Sequence, residues 1–143
     1  MHASRWVWCP ATIVFLVLAE FGTAAGSEDA YLAIRTNAAG TVNYVRQSEI
    51  EAFADASASN CILILSNGED LRVWQKCSSV AAELQNKNLV SFPNEFGMVY
   101  VFEPDIFDLL STNNSGCRLN LKNRKFVAVN QSCESVHQAL PRE

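Results

Sequence analysis

The sequence predicts an α+β domain made of two tandem β-rich repeats, each with three to four strands and a short C-terminal helix. The first observation is that the cysteine-bounded segment 61–77 recurs as 117–133. The second is that apolar residues alternate at period two in both segments, which is typical of strands. The third is a short polar stretch with helical apolar spacing after each segment, over 78–84 and 134–140.

The repeat extends well beyond the cysteines. Residues 42–84 align with 98–140 without a gap and share fourteen identical pairs, where chance gives roughly three. One copy of about 55 residues would be marginally stable alone, so we expect the two copies to pack together with pseudo-twofold symmetry. The identical pairs are Tyr44/Tyr100, Val45/Val101, Ile50/Ile106, Ser59/Ser115, Cys61/Cys117, Leu63/Leu119, Leu65/Leu121, Asn67/Asn123, Val73/Val129, Gln75/Gln131, Cys77/Cys133, Ser79/Ser135, Val80/Val136 and Leu84/Leu140.

The cysteines of each copy are expected to form a disulfide. Asn67-Gly68 is a hairpin turn signal, and a turn centred on Glu69 puts Cys61 opposite Cys77. Directly opposed strand residues lie about 4.5–5.5 Å apart, which is within disulfide reach. The alternatives are four free buried thiols, or a zinc site for which no Cys-x2-Cys motif is present. The predicted bridges are Cys61–Cys77 and Cys117–Cys133.

The N-terminus has the layout of a secretory signal peptide over residues 1–25. Arg5 precedes an apolar run over 11–19 that is about half the length of a membrane span, and small residues follow up to Ala25. The alternative is an uncleaved anchor. Cleavage would remove Cys9 and leave an even number of cysteines, as in exported proteins. We therefore expect one compact domain over 26–143, with repeats over about 30–85 and 86–140, in a secreted or periplasmic protein.

The remaining elements of the first copy follow in order. The segment 48–51 is either a capping box that opens a helix or a tight turn before a strand through Ile50, and the second interpretation is favoured. The final helix has apolar residues spaced for one buried face. In chain order the copy has strands over 30–35 and 41–45, the turn over 48–51, a polar loop over 55–59, the hairpin over 61–77, and the helix over 78–84.

Composition gives expectations about partners. The formal net charge is −4, and acidic and basic residues are interspersed. No basic patch or stripe of the nucleic-acid-binding kind is visible, so we expect no nucleic acid and no stable membrane insertion after signal cleavage. The expected partner is an unknown protein or a small ligand. Asn113 and Asn130 match the glycosylation acceptor pattern.

No catalytic constellation, metal site or cofactor motif stands out. The sequence has no Gly-x-Ser-x-Gly elbow, phosphate loop or His-Glu-x-x-His motif. His137 on the last helix is expected to be partly exposed. The carboxylate pairs Glu49/Glu51 and Asp105/Asp108 are expected to be solvated surface. An active site assembled from residues distant in sequence stays open, since catalytic groups need to be close only in the fold.

The two hairpins differ on their even-numbered face. The first has Ile62, Ile64 and Trp74 there, and the predicted register puts Ile64 opposite Trp74, whereas the second has polar residues at the matching positions. One interpretation is a core face covered by the other copy or by a helix. The other is an exposed apolar patch for a partner, in which aromatic residues are favoured anchors. The candidate binding patch is Ile62, Ile64 and Trp74; the matching residues are Arg118, Asn120 and Asn130.

The first copy has a recurring pattern of apolar positions around one turn: Asn43, Ile50, Ile62-Leu63-Ile64-Leu65, Asn67-Gly68, Val73 and Ser79-Val80. With this pattern each copy resembles the small FlbD-type family associated with flagellar genes, and the rhythm of strands is similar to that of the LytTR DNA-binding fold. The resemblance implies a small β-rich unit with a C-terminal helix and is used for fold only. The cysteines, the export signal and the duplication depart from that family.

These observations favour an exported, disulfide-stapled, non-catalytic binding module. A small exported hydrolase is the alternative from another class, and it would require an acid/base pair that the sequence does not reveal. An inhibitor or immunity-type protein is the third possibility, and the loop over 92–96 would serve it.

Overall fold

The computed structural model describes residues 30–84 and 88–141. The predicted signal peptide, its cleavage site and Cys9 lie outside the described residues. The described part consists mostly of strands in several sheets, with two short helices. This confirms the β-rich α+β class.

The order of elements is the same in both described segments. In each, two strands precede a short 3-10 turn, three strands and a helix. The turns, Gln47–Glu49 and Glu103–Asp105, lead directly into a strand, as the favoured interpretation of residues 48–51 expects. The first segment contains β1 (Tyr31–Arg35), β2 (Val42–Arg46), β3 (Ile50–Ser57), β4 (Asn60–Leu65), β5 (Asp70–Val73) and α1 (Cys77–Leu84). The second contains β6 (Leu89–Asn94), β7 (Gly97–Phe102), β8 (Ile106–Ser111), β9 (Cys117–Leu121), β10 (Phe126–Val129) and α2 (Cys133–Ala139).

The strands form three antiparallel sheets. The largest has the order β5-β4-β3-β7-β6, a second has the order β10-β9-β8, and β1 pairs with β2 alone. Strands β3 and β7 pair side by side, with Phe53 opposite Tyr100. The largest sheet therefore contains strands from both segments.

The register of both hairpins differs from the predicted one. Cys61 lies opposite Val73, so the first turn is centred on Asn67 rather than on Glu69. Gly68 has φ +86°, which glycine adopts at no steric cost, and the Asn67 side chain accepts the Glu69 amide at 2.9 Å. This turn chemistry shortens the loop. Because the shift moves each partner by an even number of residues, every side chain keeps its predicted face.

The predicted disulfides are both present. Cys61 bonds to Cys77 with Cα atoms 5.0 Å apart, and Cys117 bonds to Cys133 with Cα atoms 4.8 Å apart. The second cysteine of each pair begins a helix and does not lie in the neighbouring strand. Each bridge therefore ties a central strand to the first turn of the helix that covers it.

The predicted polar loop over 55–59 is wrong for most of its length. Strand β3 continues to Ser57 and β4 begins at Asn60. The strand continues because β3 stays paired with β4 as far as Ser57, which lies opposite Asn60. Asp55 is held within it, since its carboxylate accepts the Met98 amide at 2.9 Å.

The largest sheet lies between two apolar clusters. On one side Phe53 and Leu63 pack with β1 and α1. On the other side Ala52 and Ile64 pack with β9, β10 and α2. Adjacent residues of β3 and β4 thus belong to different cores, which explains why the first hairpin is apolar on both faces.

Removing the second disulfide is expected to destabilise the chain. The double variant Cys117→Ala/Cys133→Ala should lower the free energy of unfolding by roughly 2–5 kcal/mol, the usual effect for a small domain. The measurement is guanidinium unfolding of the double variant and of the wild type, both oxidised. The reduced wild type, which lacks both bridges, is a further comparison. Unfolding of the double variant at the wild-type midpoint would contradict the assignment of this bridge as a structural staple.

Candidate binding cleft

An open cleft lies between the largest sheet and strand β10. Its volume is about 400 Å³. Strands β3, β4, β5 and β7 of the sheet contribute lining residues, and the β6–β7 turn and β10 supply the sides. The lining residues are Ala54, Asp55, Ala56, Ile62, Ile64, Asp70, Arg72, Asn94, Phe96, Val99, Phe126, Val127 and Ala128.

Two of the three predicted patch residues line this cleft. Ile64 is 8% exposed and packs in the second apolar cluster, while Ile62 is half-buried nearer the opening. Alternation along β4 directs both side chains away from the core that holds Leu63. The cleft is thus the open margin of the second cluster.

Trp74, the third predicted patch residue, does not line the cleft. It follows the last residue of β5, is 44% exposed, and donates its backbone amide to the Arg35 carbonyl at 2.7 Å. The register shift has separated it from Ile64, which lies opposite Asp70 instead. The structure therefore does not assemble the three residues into one patch.

Phe96 forms one side of the cleft opening. It sits in the tight β6–β7 turn and is 65% exposed. The Asn94 side chain accepts the Phe96 amide at 2.9 Å, which fixes the turn. The next residue, Gly97, has φ +141°, and a Cβ there would lie 2.6 Å from the Asp55 carboxylate. Only glycine therefore fits the close approach between this turn and β3.

Phe126 forms the opposite side of the opening. Its ring is 50% exposed, and the Arg118 guanidinium carbon lies 3.8 Å from the ring centroid. Arg118 donates to Asn120 at 2.7 Å, and Asn120 donates to Asp108 at 2.5 Å. The polar face of the second hairpin thus holds Phe126 in place from outside. The sequence comparison of the hairpins identified this polar face but not the cleft beside it.

The charged residues that line the cleft are Asp55, Asp70 and Arg72. Lys125 and Asp70 form an ion pair of 2.7 Å that links the β9–β10 turn to β5. Both side chains are more than a third exposed, so the pair contributes about 1 kcal/mol or less.

On the other side of β3, Tyr100 stacks on Phe53 at 4.8 Å between ring centroids. Burial, and secondly the charge of Asp55, raises the pKa of Tyr100.

The expectation that Glu51 is solvated is wrong. Its side chain is 5% exposed, and its Oε2 atom accepts the Asn123 amide at 3.2 Å. Asn123 also donates from its side chain to the Leu65 carbonyl at 2.7 Å, so the two hairpin turns meet here. Burial is the largest cause of the raised pKa of Glu51, and the hydrogen bond from the Asn123 amide lowers that pKa in part. Smaller effects come from the charge of Asp105, which raises the pKa, and the charge of Lys122, which lowers it. Glu51 therefore links the two segments through its hydrogen bond with Asn123, and it does not line the cleft.

Other candidate groups are placed as follows. His137 is exposed on α2. In the part of the chain that the structure describes, no three metal-binding side chains come together. No helix among residues 30–84 and 88–141 is long and apolar enough to cross a membrane.

Comparison with solved structures finds a LytTr DNA-binding domain from Bacillus cereus. The two chains are 19% identical, and the match has a TM-score of 0.51 and covers 76% of this chain and 94% of the other. The LytTR-like fold that the sequence resemblance implied is thereby confirmed. No family model matches the chain, and no curated protein matches it.

This neighbour corrects the expectation about nucleic acid. The sequence-based exclusion of nucleic acid is wrong, because the fold is one that a solved DNA-binding domain uses. At 19% identity the likeness establishes the shared fold alone.

The placement of the patch residues gives a stability prediction. Ile64→Ala should lower the free energy of unfolding by roughly 2–5 kcal/mol because the side chain is buried in the second cluster. Trp74→Ala should cost less, since the indole is 44% exposed. Urea unfolding of both variants checks this order. Asn130→Ala, at the position matching Trp74, is the control and should change stability by no more than about 0.5 kcal/mol. A larger loss for Trp74→Ala than for Ile64→Ala would contradict the placement.

Glu51 gives a pH prediction. Because folding raises its pKa above the ordinary value of 4.5, Glu51 stabilises the fold below that value, and the contribution is lost as pH rises through the raised pKa. Glu51→Gln keeps an acceptor for the Asn123 amide but does not ionise. Its free energy of unfolding relative to wild type should therefore be higher at pH 7 than at about pH 4. Glu83→Gln, on the exposed side of α1, controls for the loss of one charge. An equal difference at both pH values would show that Glu51 is not held in a desolvated site.

Proposed function

We propose that this chain is an exported, non-catalytic binding module whose cleft receives an aromatic or long apolar side chain of a partner protein. The observation that carries the proposal is the cleft itself. Its floor of Ile62, Ile64 and Val99 is apolar, and Phe96 and Phe126 face solvent on either side of it.

The composition of the cleft supports a side-chain ligand. Small-ligand and anchor sites are mostly apolar with a few polar groups, and aromatic residues dominate the binding energy of interfaces. Here two exposed rings, Phe96 and Phe126, flank a concavity with an apolar floor, and an exposed apolar patch of this kind often marks a binding site. Asp55 and Arg72 at the margin are placed to accept and donate hydrogen bonds to the backbone of the segment that carries the anchor.

Contacts on both sides of the cleft support a preformed site. The Gly97 turn carries Phe96 and is locked to Asp55, while Arg118 and the Lys125–Asp70 pair hold β10. The second disulfide anchors β9 to α2 behind them. A rigid cleft loses little conformational freedom on binding, so more of the contact energy remains as affinity.

The proposal includes the internal duplication and its pseudo-twofold arrangement. The matching elements make matching hydrogen bonds: Ser66 donates to the Glu49 carbonyl as Lys122 does to Asp105. The Cys61–Cys77 and Cys117–Cys133 bridges also match, with a sequence separation of 16 in each. The cleft then arises where the copies differ, since Ile62 and Ile64 replace the polar Arg118 and Asn120.

Export is the proposed cellular context. Two disulfides that join core strands to helices fit an oxidising compartment. The layout of residues 1–25 supplies the signal for reaching it.

Nucleic acid is the second candidate partner. The observation that favours it is the concentration of positive charge around the β9–β10 turn, together with the DNA-binding neighbour. Of these residues, Arg118 is engaged with Phe126 and Lys125 with Asp70, whereas Lys122 and Arg124 are exposed. Surface cations of this kind bind phosphates without sequence information.

The aromatic-anchor proposal predicts where a small probe binds. Titration of the oxidised chain with N-acetyl-tryptophanamide should shift the backbone amide signals of Ala54, Ile62 and Ala128 in a saturable way. N-acetyl-alaninamide, which lacks the ring, should shift them little at the same concentrations. The double variant Phe96→Ala/Phe126→Ala should weaken the binding of the probe by roughly 10-fold or more, as expected for the loss of flanking aromatic contacts.

The matched control is Tyr31→Ala, which removes an exposed ring outside the cleft. Shifts that are scattered over the surface, or that survive in the double variant, would contradict the cleft as the site.

The nucleic-acid candidate is tested with a labelled duplex at several salt concentrations. If it holds, Lys122→Ala/Arg124→Ala should reduce the slope of log affinity against log salt by about 2.

A further inference from the structure

The three sheets of the described segments are joined edge to edge by hydrogen bonds into one series of strands. The largest sheet ends in β5 and β6. At one end Trp74, just beyond β5, donates its amide to Arg35 of β1; at the other, Asn130, just beyond β10, donates to Pro93 of β6. The series therefore runs β2-β1, β5-β4-β3-β7-β6 and β10-β9-β8, with a hydrogen bond across each junction.

The series ends in β2 on one side and in β8 on the other. Among the described residues, no strand pairs with the outer edge of either. In the proposed duplication β2 matches β7 and β8 matches β3, and β7 and β3 are paired. The open edges are therefore the two strands whose counterparts join the segments.

The backbone groups at the open edges are complementary. Gln47 donates to Ala30 and Thr36 donates to Thr41, so alternation along β2 turns the backbone groups of Tyr44 away from β1. In β8, Thr112 donates to Gly116, so the backbone groups of Leu109 point away from β9. These two residues match Tyr100 and Phe53, which lie directly opposite each other.

Both edges also expose large apolar side chains. Tyr44 is 70% exposed and Val42 47% on β2, while Phe107 is 75% and Leu110 54% on β8. Edges of folded monomers are usually protected by prolines, inward charges or bulges, because free edges with apolar side chains pair with other chains. Neither β2 nor β8 contains a proline, and the irregularity of β8 lies between Ile106 and Asp108, before Leu109.

We infer that this chain dimerises by pairing β2 of one copy with β8 of a second copy, and reciprocally β8 with β2. The inference rests on the proposed duplication, which sets the register: Tyr44 of one copy opposite Leu109 of the other. Each pairing extends a two-stranded and a three-stranded sheet into one five-stranded sheet. The new contact continues the β3–β7 interface that already joins the two segments.

A second copy fits better than closure within one chain because both edges are fixed where they are. Leu32 and Ile34 hold the β1–β2 hairpin in the first core, at 2% and 0% exposure. Ile106 and Leu109 pack against the second core. Moving either edge to the other would take these apolar residues out of their clusters, whereas a second copy leaves both clusters intact.

The first experiment is sedimentation velocity of the oxidised chain over a concentration series. We expect a reversible monomer–dimer equilibrium. Tyr44→Pro, which removes an outward amide donor without touching the bonds to β1, should weaken the dimer roughly 30-fold, since two hydrogen bonds are lost per dimer. Tyr44→Thr keeps the amide and should weaken it less than Tyr44→Pro. A wild-type monomer at every concentration, or equal dimers of wild type and Tyr44→Pro, overturns the inference.

The second experiment does not depend on the folding of the proline variant. Chains with Tyr44→Cys and chains with Leu109→Cys are mixed and mildly oxidised, and the native bridges are checked by peptide mapping. Hydrogen-bonded strand pairs have Cα atoms about 5.5 Å apart, within disulfide range, so a Tyr44→Cys chain should cross-link to a Leu109→Cys chain. Tyr31→Cys, on the other strand of the hairpin, should cross-link much less to Leu109→Cys. Equal cross-linking of the two mixtures overturns the register, and cleft binding by N-acetyl-tryptophanamide is unaffected by either outcome.

Discussion

The pairing of β3 with β7 is the constraint on which the rest of the structure depends. It places Phe53 opposite Tyr100 and makes one sheet out of strands from both described segments. Because that sheet has an apolar cluster on each side, β3 and β4 must be apolar on both faces. If either strand had one polar face, one of the two apolar clusters would pack against polar side chains.

The candidate cleft follows from the same constraint. The second cluster covers Ile64 but ends before Ile62, and the space beyond it is closed only on two sides, by the Phe96 turn and by Phe126. In each segment a disulfide joins the central strand of the hairpin to the helix that packs against it. A disulfide restricts mainly the unfolded chain, so a small domain keeps an open cleft at little cost in stability.

Much of the fold was predictable because side-chain alternation in strands is local. The apolar odd positions of both hairpins follow from it, and the two helices follow from the helical spacing of apolar residues after each hairpin. The cysteine pairs were also predictable, although each bridge joins a strand to a helix rather than two opposed strand positions. The register was not, because the choice between turns centred on Asn67 and on Glu69 depends on the φ +86° of Gly68 and the bond from the Glu69 amide to Asn67. Because the predicted register is wrong, Trp74 does not lie opposite Ile64, and one of the three predicted patch residues lies outside the cleft.

The cleft and the buried carboxylate were outside the reach of sequence reasoning for a different reason. Phe96, Phe126 and Ile62 come from three separate elements, and only the packing of β10 beside the largest sheet brings them together. Glu51 looked like one of several surface acids because its partner, the Asn123 amide, lies in the other segment. Contacts between distant elements carry no periodic signal in the chain.

Native-state amide hydrogen exchange tests most directly the claim that one sheet holds both segments together. The amides of Phe53 and Tyr100 face each other across β3 and β7, so both should exchange only through global unfolding, with the same free energy as amides in β4 and β9. If the β7 amides instead exchange through a separate opening, while the amides of β3 and β4 stay protected, the segments fold independently and the shared sheet does not hold them together.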